Sequence, residues 1–163
     1  MIRPAGPGDA EGILAIWNPL IRDTAVTFNA VEKTAQEVAG MVATRQAALG
    51  NGFLVAEGAG GAIAGFATWS QFRGGVGYAR TAEHTILLGP AARGRGLGRK
   101  LMAAAEEAAR EEGIHSMFGG VSAENPAGVA FHAAMGYAEV ARLREVGWKF
   151  GRWMDLVLMQ KFL

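Results

Sequence analysis

Apolar residues recur along this chain at two spacings, and the switches between them outline the elements of a fold. After Asp9, an expected helix cap, Ile13, Leu14, Ile16, Trp17 and Leu20 fall on one face of a helix. Thr34-Ala35-Gln36-Glu37 has the form of a capping box and opens a second helix, expected to end near Gly50. Ile2 to Ala5 reads as a short first strand. Phe53 to Glu57 and Ile63 to Phe72 read as two more, joined by the glycine-rich turn Gly58 to Gly61. Glu83 to Leu88 is a further strand, stopped by Gly89-Pro90. Leu97 to Glu112, rich in alanine and leucine and followed by Gly113, is the clearest helix. Ser116 to Val121 is apolar enough for a buried strand, and a shorter helix runs from Asn125 or Pro126 to near Gly136. Tyr137 to Leu143 and Trp153 to Phe162 supply the last strands. The order βααβββαβαββ predicts an α+β fold around one mixed sheet, a single domain over residues 1–163.

Composition narrows the function classes. Half of the residues are apolar and 19% are charged, enough for a packed core. A net charge of +1 gives no support to nucleic-acid binding, so any positive site must be local. The absence of cysteine excludes disulfides, thiolate nucleophiles and cysteine-bearing zinc sites, and no metal is expected. Met1-Ile2-Arg3-Pro4 lacks the apolar run of a signal peptide, and no apolar stretch is long enough to span a membrane. A cytoplasmic protein without a membrane partner is the expectation. The 24 glycines are scattered, which points to turns and close backbone approaches rather than a repeat.

One glycine cluster carries chemistry. Arg93-Gly94-Arg95-Gly96-Leu97-Gly98-Arg99-Lys100 lies between a strand and the clearest helix. Glycines there let backbone N–H groups turn toward one point, and the helix adds its unpaired N–H groups and positive dipole end. With four basic residues alongside, the segment suits a diphosphate. It is not a P-loop, since no Ser or Thr follows Lys100. Nor is it a dinucleotide fingerprint, which needs Gly-x-Gly-x-x-Gly after the first strand of a βαβ unit. A plain flexible turn before a helix is the remaining alternative.

The same residues resemble the coenzyme A loop of the GNAT family of N-acetyltransferases, whose pattern is Gln/Arg-x-x-Gly-x-Gly/Ala: Arg93, Gly96 and Gly98 fill its specified positions. Asn125, then Gly136 eleven residues on, then Tyr137 match the family's next motif. Ala82-Glu83-His84-Thr85, the run Val146 to Asp155, Asn18 to Thr24 and Phe72 to Thr81 look like the phosphinothricin and methionine sulfoximine/sulfone acetyltransferase branch. The resemblance implies a GNAT fold: a mixed central sheet of about seven strands flanked by about four helices in three αβα layers. It implies acetyl-coenzyme A as co-substrate and the amine of a small amino-acid-like molecule as acceptor. A protein N-terminus or lysine as acceptor, or a non-catalytic coenzyme A-binding domain, are the competing functions.

The resemblance also implies roles. Acetyl-coenzyme A would enter a V-shaped opening between Glu83–Leu88 and Ser116–Val121, with the backbone of Ile86, Leu87 and Leu88 pairing with the pantetheine arm. Arg93, Gly94, Arg95, Gly96, Leu97, Gly98 and Arg99 would hold the diphosphate. Asn125 would bond the pantetheine, unless it is only a helix cap. Amine attack needs a base, and Glu83 is the candidate, set against an ordinary surface carboxylate. His132 sits where many relatives carry a tyrosine that protonates the departing thiolate. It is expected either in that acid role, in seating the substrate, or as a packed helix residue. His84, on the opposite face of its strand from Glu83, is structural or lines the substrate. Phe28, Arg73, Gly74 and Lys149 are candidate acceptor contacts, an arginine suiting a carboxylate. Lys149, Arg152, Trp148 and Trp153 form either a pocket edge or a homodimer contact.

Overall fold

The computed structural model describes all 163 residues. The strands are β1 (Ile2–Pro4), β2 (Gly52–Glu57), β3 (Ile63–Gln71), β4 (Thr81–Leu88), β5 (Ser116–Ser122), β6 (Ala138–Lys149) and β7 (Arg152–Phe162). The helices are α1 (Ala10–Asp23), α2 (Ala35–Ala47), α3 (Leu97–Glu111) and α4 (Pro126–Ala134). All seven strands form one sheet in the order β1-β2-β3-β4-β5-β7-β6, antiparallel except for the central parallel pair β4–β5.

Each sheet face is covered by its own helices. On one, the apolar stripe of α1 (Ile13, Ile16, Trp17, Ile21) and Val38 and Val42 of α2 pack on Phe53, Val55 and Phe66. On the other, Leu101, Met102, Ala105 and Ala109 of α3 meet Ala67, Trp69, Ala82 and Met117. Alternation along β4 therefore sends Ala82 and His84 toward the α3 face and Glu83 and Leu87 toward the α1 face.

Several local expectations need correction. Asp9 stands at the cap position of α1, but its side chain caps no helix N–H. Its carboxylate instead accepts from Gly6 N at 2.7 Å and from two guanidinium nitrogens of Arg3, each at 2.8 Å, tying β1 to the helix start. The capping box of α2 forms as expected, Thr34 and Glu37 bonding reciprocally. The strand expected from Glu83 begins at Thr81, because Ala82 pairs with Gln71 of β3 and Thr81 with Ser116 of β5. The strand expected to stop at Leu143 runs on to Lys149 and turns back through Phe150-Gly151. Both turn residues have positive φ, 54° and 71°, the twist that two-residue hairpins need. Glu145, with φ 52°, marks the irregularity that shifts the β6–β7 register.

Gly52 shows how tightly the α3 face is built. A Cβ there would lie 2.1 Å from the Trp69 ring, itself buried in the core and unable to swing away. Gly52→Ala is expected to cost about 2 kcal/mol through overpacking and to lower the melting temperature by roughly 4–8 °C. Thermal unfolding followed by circular dichroism checks this.

Candidate active site

The central strands part company halfway along. β4 and β5 pair from Thr81–Ser116 through His84–Gly119 and no further. Beyond that point β4 stays bonded to β3 as far as Leu88, and β5 stays bonded to β7 as far as Ser122. The backbone edges of Thr85–Leu88 and Gly120–Ser122 thus face each other without joining. A cleft of about 150 Å³ opens here, reached by Trp17 of α1, Phe28 of the α1–α2 loop and Leu156 of β7 as well as by the two strands. A second space of about 400 Å³ continues it toward Arg93, Gly94 and Gly98. The two share Val26, Ile86, Leu87, Asn125 and His132, so they form one trough from the parting strands to the start of α3.

The far end is the bend before α3. Gly94 and Gly96 have φ of 72° and 77°, and a Cβ at either would meet nothing within 4 Å. Their N–H groups and the first N–H groups of α3 are therefore accessible from open space, a concavity suited to an anion. Gly98 has a different job. A Cβ there would lie 3.2 Å from Leu88 and 3.3 Å from Phe131, so this glycine lets α3 approach β4 and α4. Arg93 turns back to donate to the Leu88 carbonyl at 3.4 Å, Arg99 donates to Ala134 O at 3.5 Å, and Arg95 is exposed.

Asn125 does two things at once. Its Oδ1 accepts from Gly128 N at 3.0 Å, capping α4, and this fixes which way the amide faces. Its NH2 has no partner within the protein and the residue lines both parts of the trough.

Glu83 and the two histidines approach the parting point from opposite faces of the sheet. The half-buried Glu83 carboxylate lies over Gly120, where a Cβ would come within 2.9 Å of Oε1. Burial raises its pKa above the usual carboxylate range, with no cation offsetting it. On the other face, His84 Nε2 and His132 Nε2 are 2.9 Å apart, with the rings stacked at 22°. His132 Nδ1 lies 2.7 Å from Gly128 O, so both of its nitrogens are occupied. Burial pushes both imidazoles down, His84 to about 3, where the His132 ring adds to the effect and the Phe118 backbone opposes it.

Of the acceptor candidates, only Phe28 and His84 line the cleft. Phe28 packs on Gly147, where a Cβ would lie 2.5 Å from its ring. Lys149 does not face the cleft. Its buried ammonium donates to Thr24 O at 2.7 Å and Thr27 O at 2.8 Å, pinning the loop that carries Phe28, and burial lowers its pKa. Arg73 and Gly74 are exposed on the loop after β3, the guanidinium 5.7 Å from the Tyr78 ring. Trp17, Ser122 and Leu156 entered the cleft unforeseen, since nothing in their local sequence marks them as site residues. No group of three or more potential metal ligands is assembled anywhere in the chain.

Residues 17–137 match the acetyltransferase (GNAT) family. The chain belongs to that family. A methionine sulfoximine/methionine sulfone acetyltransferase of Pseudomonas aeruginosa is 36% identical over 98% of this chain and 92% of its own length. The phosphinothricin N-acetyltransferase of Streptomyces coelicolor is 31% identical over 98% and 94%. Among solved structures, a Salmonella typhimurium acetyltransferase with its cofactor acetyl-CoA has a TM-score of 0.93 and 35% identity, covering 100% of this chain and 93% of that one. A ribosomal-protein-alanine N-acetyltransferase of Brucella melitensis has a TM-score of 0.94 and 36% identity, covering 100% and 99%. The chain is thus a GNAT acetyltransferase, and its trough suits the cofactor: an anion-receptive bend at one end and a free strand edge along its length.

A side chain at Gly96 would strain the positive φ and close the bend. Gly96→Val is expected to weaken acetyl-CoA binding on the order of tenfold, equivalent to about 1.4 kcal/mol. Isothermal titration calorimetry with acetyl-CoA checks it, and an unchanged dissociation constant would place the diphosphate elsewhere.

Proposed function

We propose that this GNAT enzyme transfers the acetyl group of acetyl-CoA to the amino group of a small amino-acid-like acceptor of the methionine sulfoximine, methionine sulfone or phosphinothricin type. The observation that carries this reading is the half-buried Glu83 carboxylate, without a counter-ion, packed over Gly120 of the cleft wall. Acetyl-CoA supplies an acetyl group activated as a thioester. The backbone of Ile86, Leu87 and Leu88 holds the pantetheine arm along the free edge of β4, helped by the Asn125 NH2. The Gly94–Gly96 bend, the first turn of α3 and the nearby Arg93, Arg95 and Arg99 hold the diphosphate.

An amino acid's ammonium has no free electron pair and must lose a proton before it can attack. Glu83 takes that proton, directly or through one water, from an acceptor lying on the α1 face. Burial raises its pKa, which makes it a better base than an exposed carboxylate. Phe28 and Leu156 supply apolar walls for a compact side chain. Arg73 and Gly74 close over the acceptor from a loop whose root is held by Phe72 stacked 4.6 Å from Phe118, and the guanidinium takes the acceptor carboxylate. The likeness to the Brucella enzyme favours a protein N-terminus as the second reading. The small apical cleft supports the first.

The aromatic face of the β6–β7 hairpin supports a homodimer. Trp148, Phe150 and Trp153 are each more than half exposed, at 55%, 55% and 56%. The same reading assigns the enzyme to the cytoplasm, where its co-substrate is available; no helix is long and apolar enough to cross a membrane.

Glu83→Gln is expected to reduce kcat/KM by about 10²–10⁴-fold, read as free thiol released with methionine sulfone as acceptor. In the unaltered enzyme kcat/KM falls as pH drops, because the base must be ionised, and the midpoint lies above the ordinary carboxylate range. An amino-acid panel assayed beside N-terminal peptides separates the two acceptor readings: turnover confined to peptides removes the first. Sedimentation equilibrium is expected to show a dimer that Trp148→Ser with Trp153→Ser converts to monomer.

A further inference from the structure

The relation between the two buried histidines carries more than their position. The Gly128 carbonyl can only accept, so the 2.7 Å contact puts a hydrogen on His132 Nδ1. Burial disfavours the charged form of His132, and a neutral imidazole with Nδ1–H has a bare Nε2. The 2.9 Å contact between the two Nε2 atoms needs one hydrogen between them, and His84 must supply it. His84 is then protonated at Nε2 and bare at Nδ1, a buried atom that makes no hydrogen bond. The backbone leaves room for this pair and nothing larger: a Cβ at Gly119 would lie 2.8 Å from His132 Nε2 and 2.9 Å from His84 Cε1. His84 and Gly119 are also the last bonded pair before β4 and β5 part.

We infer that His84 and His132 form one neutral unit sharing a single proton between their Nε2 atoms, His84 donating, and that this unit positions the apex of the trough instead of protonating the departing thiolate. His84 is a positioning residue acting through His132. The acid role considered for His132 from its sequence position does not survive this geometry, because its one N–H is committed to Gly128 O and its Nε2 lone pair to His84. The charged and titratable groups around the pair agree with neutrality. Tyr137 presents its ring to both imidazoles at 5.3 and 5.5 Å, and burial raises its hydroxyl pKa, so it stays protonated. Glu106 of α3 favours a proton on His132, but its charge is already matched by Lys161 of β7 at 2.6 Å. Glu83 sits on the opposite face of the sheet.

The proton's location is measurable without substrate, so it stands or falls separately from the acetyl-transfer reading. Two-bond nitrogen–proton correlation spectra of histidine-labelled protein at pH 7 are expected to show His132 as the Nδ1–H form and His84 as the Nε2–H form. His84 should remain neutral at pH 5. An Nε2–H tautomer or an imidazolium at His132 at pH 7 overturns the inference. Turnover adds an independent arm. His84→Leu removes the donor and is expected to lower kcat/KM about 10- to 100-fold through misplacement of the apex. His84→Gln, whose amide can donate from nearly the same place, restores most of it. His132→Asn keeps the donor to Gly128 and is expected to retain the shape of the kcat–pH profile; loss of its basic limb would instead mark His132 as the acid. Stability reports the same pair. Unfolded imidazoles charge as pH falls through about 6.5 while the folded pair stays neutral, so the unfolded chain binds more protons. Stability is therefore expected to decline as pH falls from about 6.5 toward the folded His84 value near 3, less steeply in His84→Gln. An equal slope in both proteins overturns the neutral pair.

Discussion

Two parallel strands that stop bonding while each keeps its outer partner create the condition on which the active site depends. Every backbone N–H and C=O in a buried sheet needs a partner, and an unpaired edge inside the protein is costly unless water or a ligand meets it. β4 and β5 leave such edges from Thr85 and Gly120 onward, held apart because β3 and β7 continue to grip them from outside. The trough is the consequence. A molecule carrying its own amide groups, as pantetheine does, can satisfy the open edge; under the proposed function, recognition of the cofactor's long axis would then come from backbone rather than side chains.

The apex and walls of that trough come from elements remote in the chain. His84 of β4, Gly119 of β5 and His132 of α4 meet at the parting point, and the small residue between the rings is what allows the meeting. On the opposite face, the α1–α2 loop is held by the β6–β7 hairpin: Lys149 bonds two loop carbonyls, and Gly147 makes room for Phe28. The hairpin whose outer face is aromatic and exposed thus also fixes one wall of the cleft. An interface built on that face would hold the wall still.

The glycine bend before α3 was legible because its geometry is local. Gly94 and Gly96 need positive φ, the helix follows at once, and the basic residues are neighbours. Asn125 was read as a cap or as a cofactor contact; its Oδ1 does serve as the cap, and the residue lines the trough. Lys149 was placed near the acceptor because a lysine among aromatics suits an anion. Its ammonium instead satisfies carbonyls more than a hundred residues away in the chain, which local pattern cannot reveal. The turn at Phe150-Gly151 was missed for a related reason: an aromatic residue rarely adopts φ above zero, and only the pairing of β6 with β7 imposes it here.

The amino-acid order by itself determined the periodicities, hence which segments become helix or strand and which face of each is apolar. It also determined the family motifs, whose residues act within one turn or one bend. What only the tertiary structure decided was everything made by convergence: where the central strands part, which histidine nitrogen carries a hydrogen, which carbonyls a buried lysine must satisfy. Those outcomes depend on distances between segments that share no local signal. They are set by packing two helix layers against one twisted sheet, where a single ångström decides whether two groups bond, clash or leave a cleft.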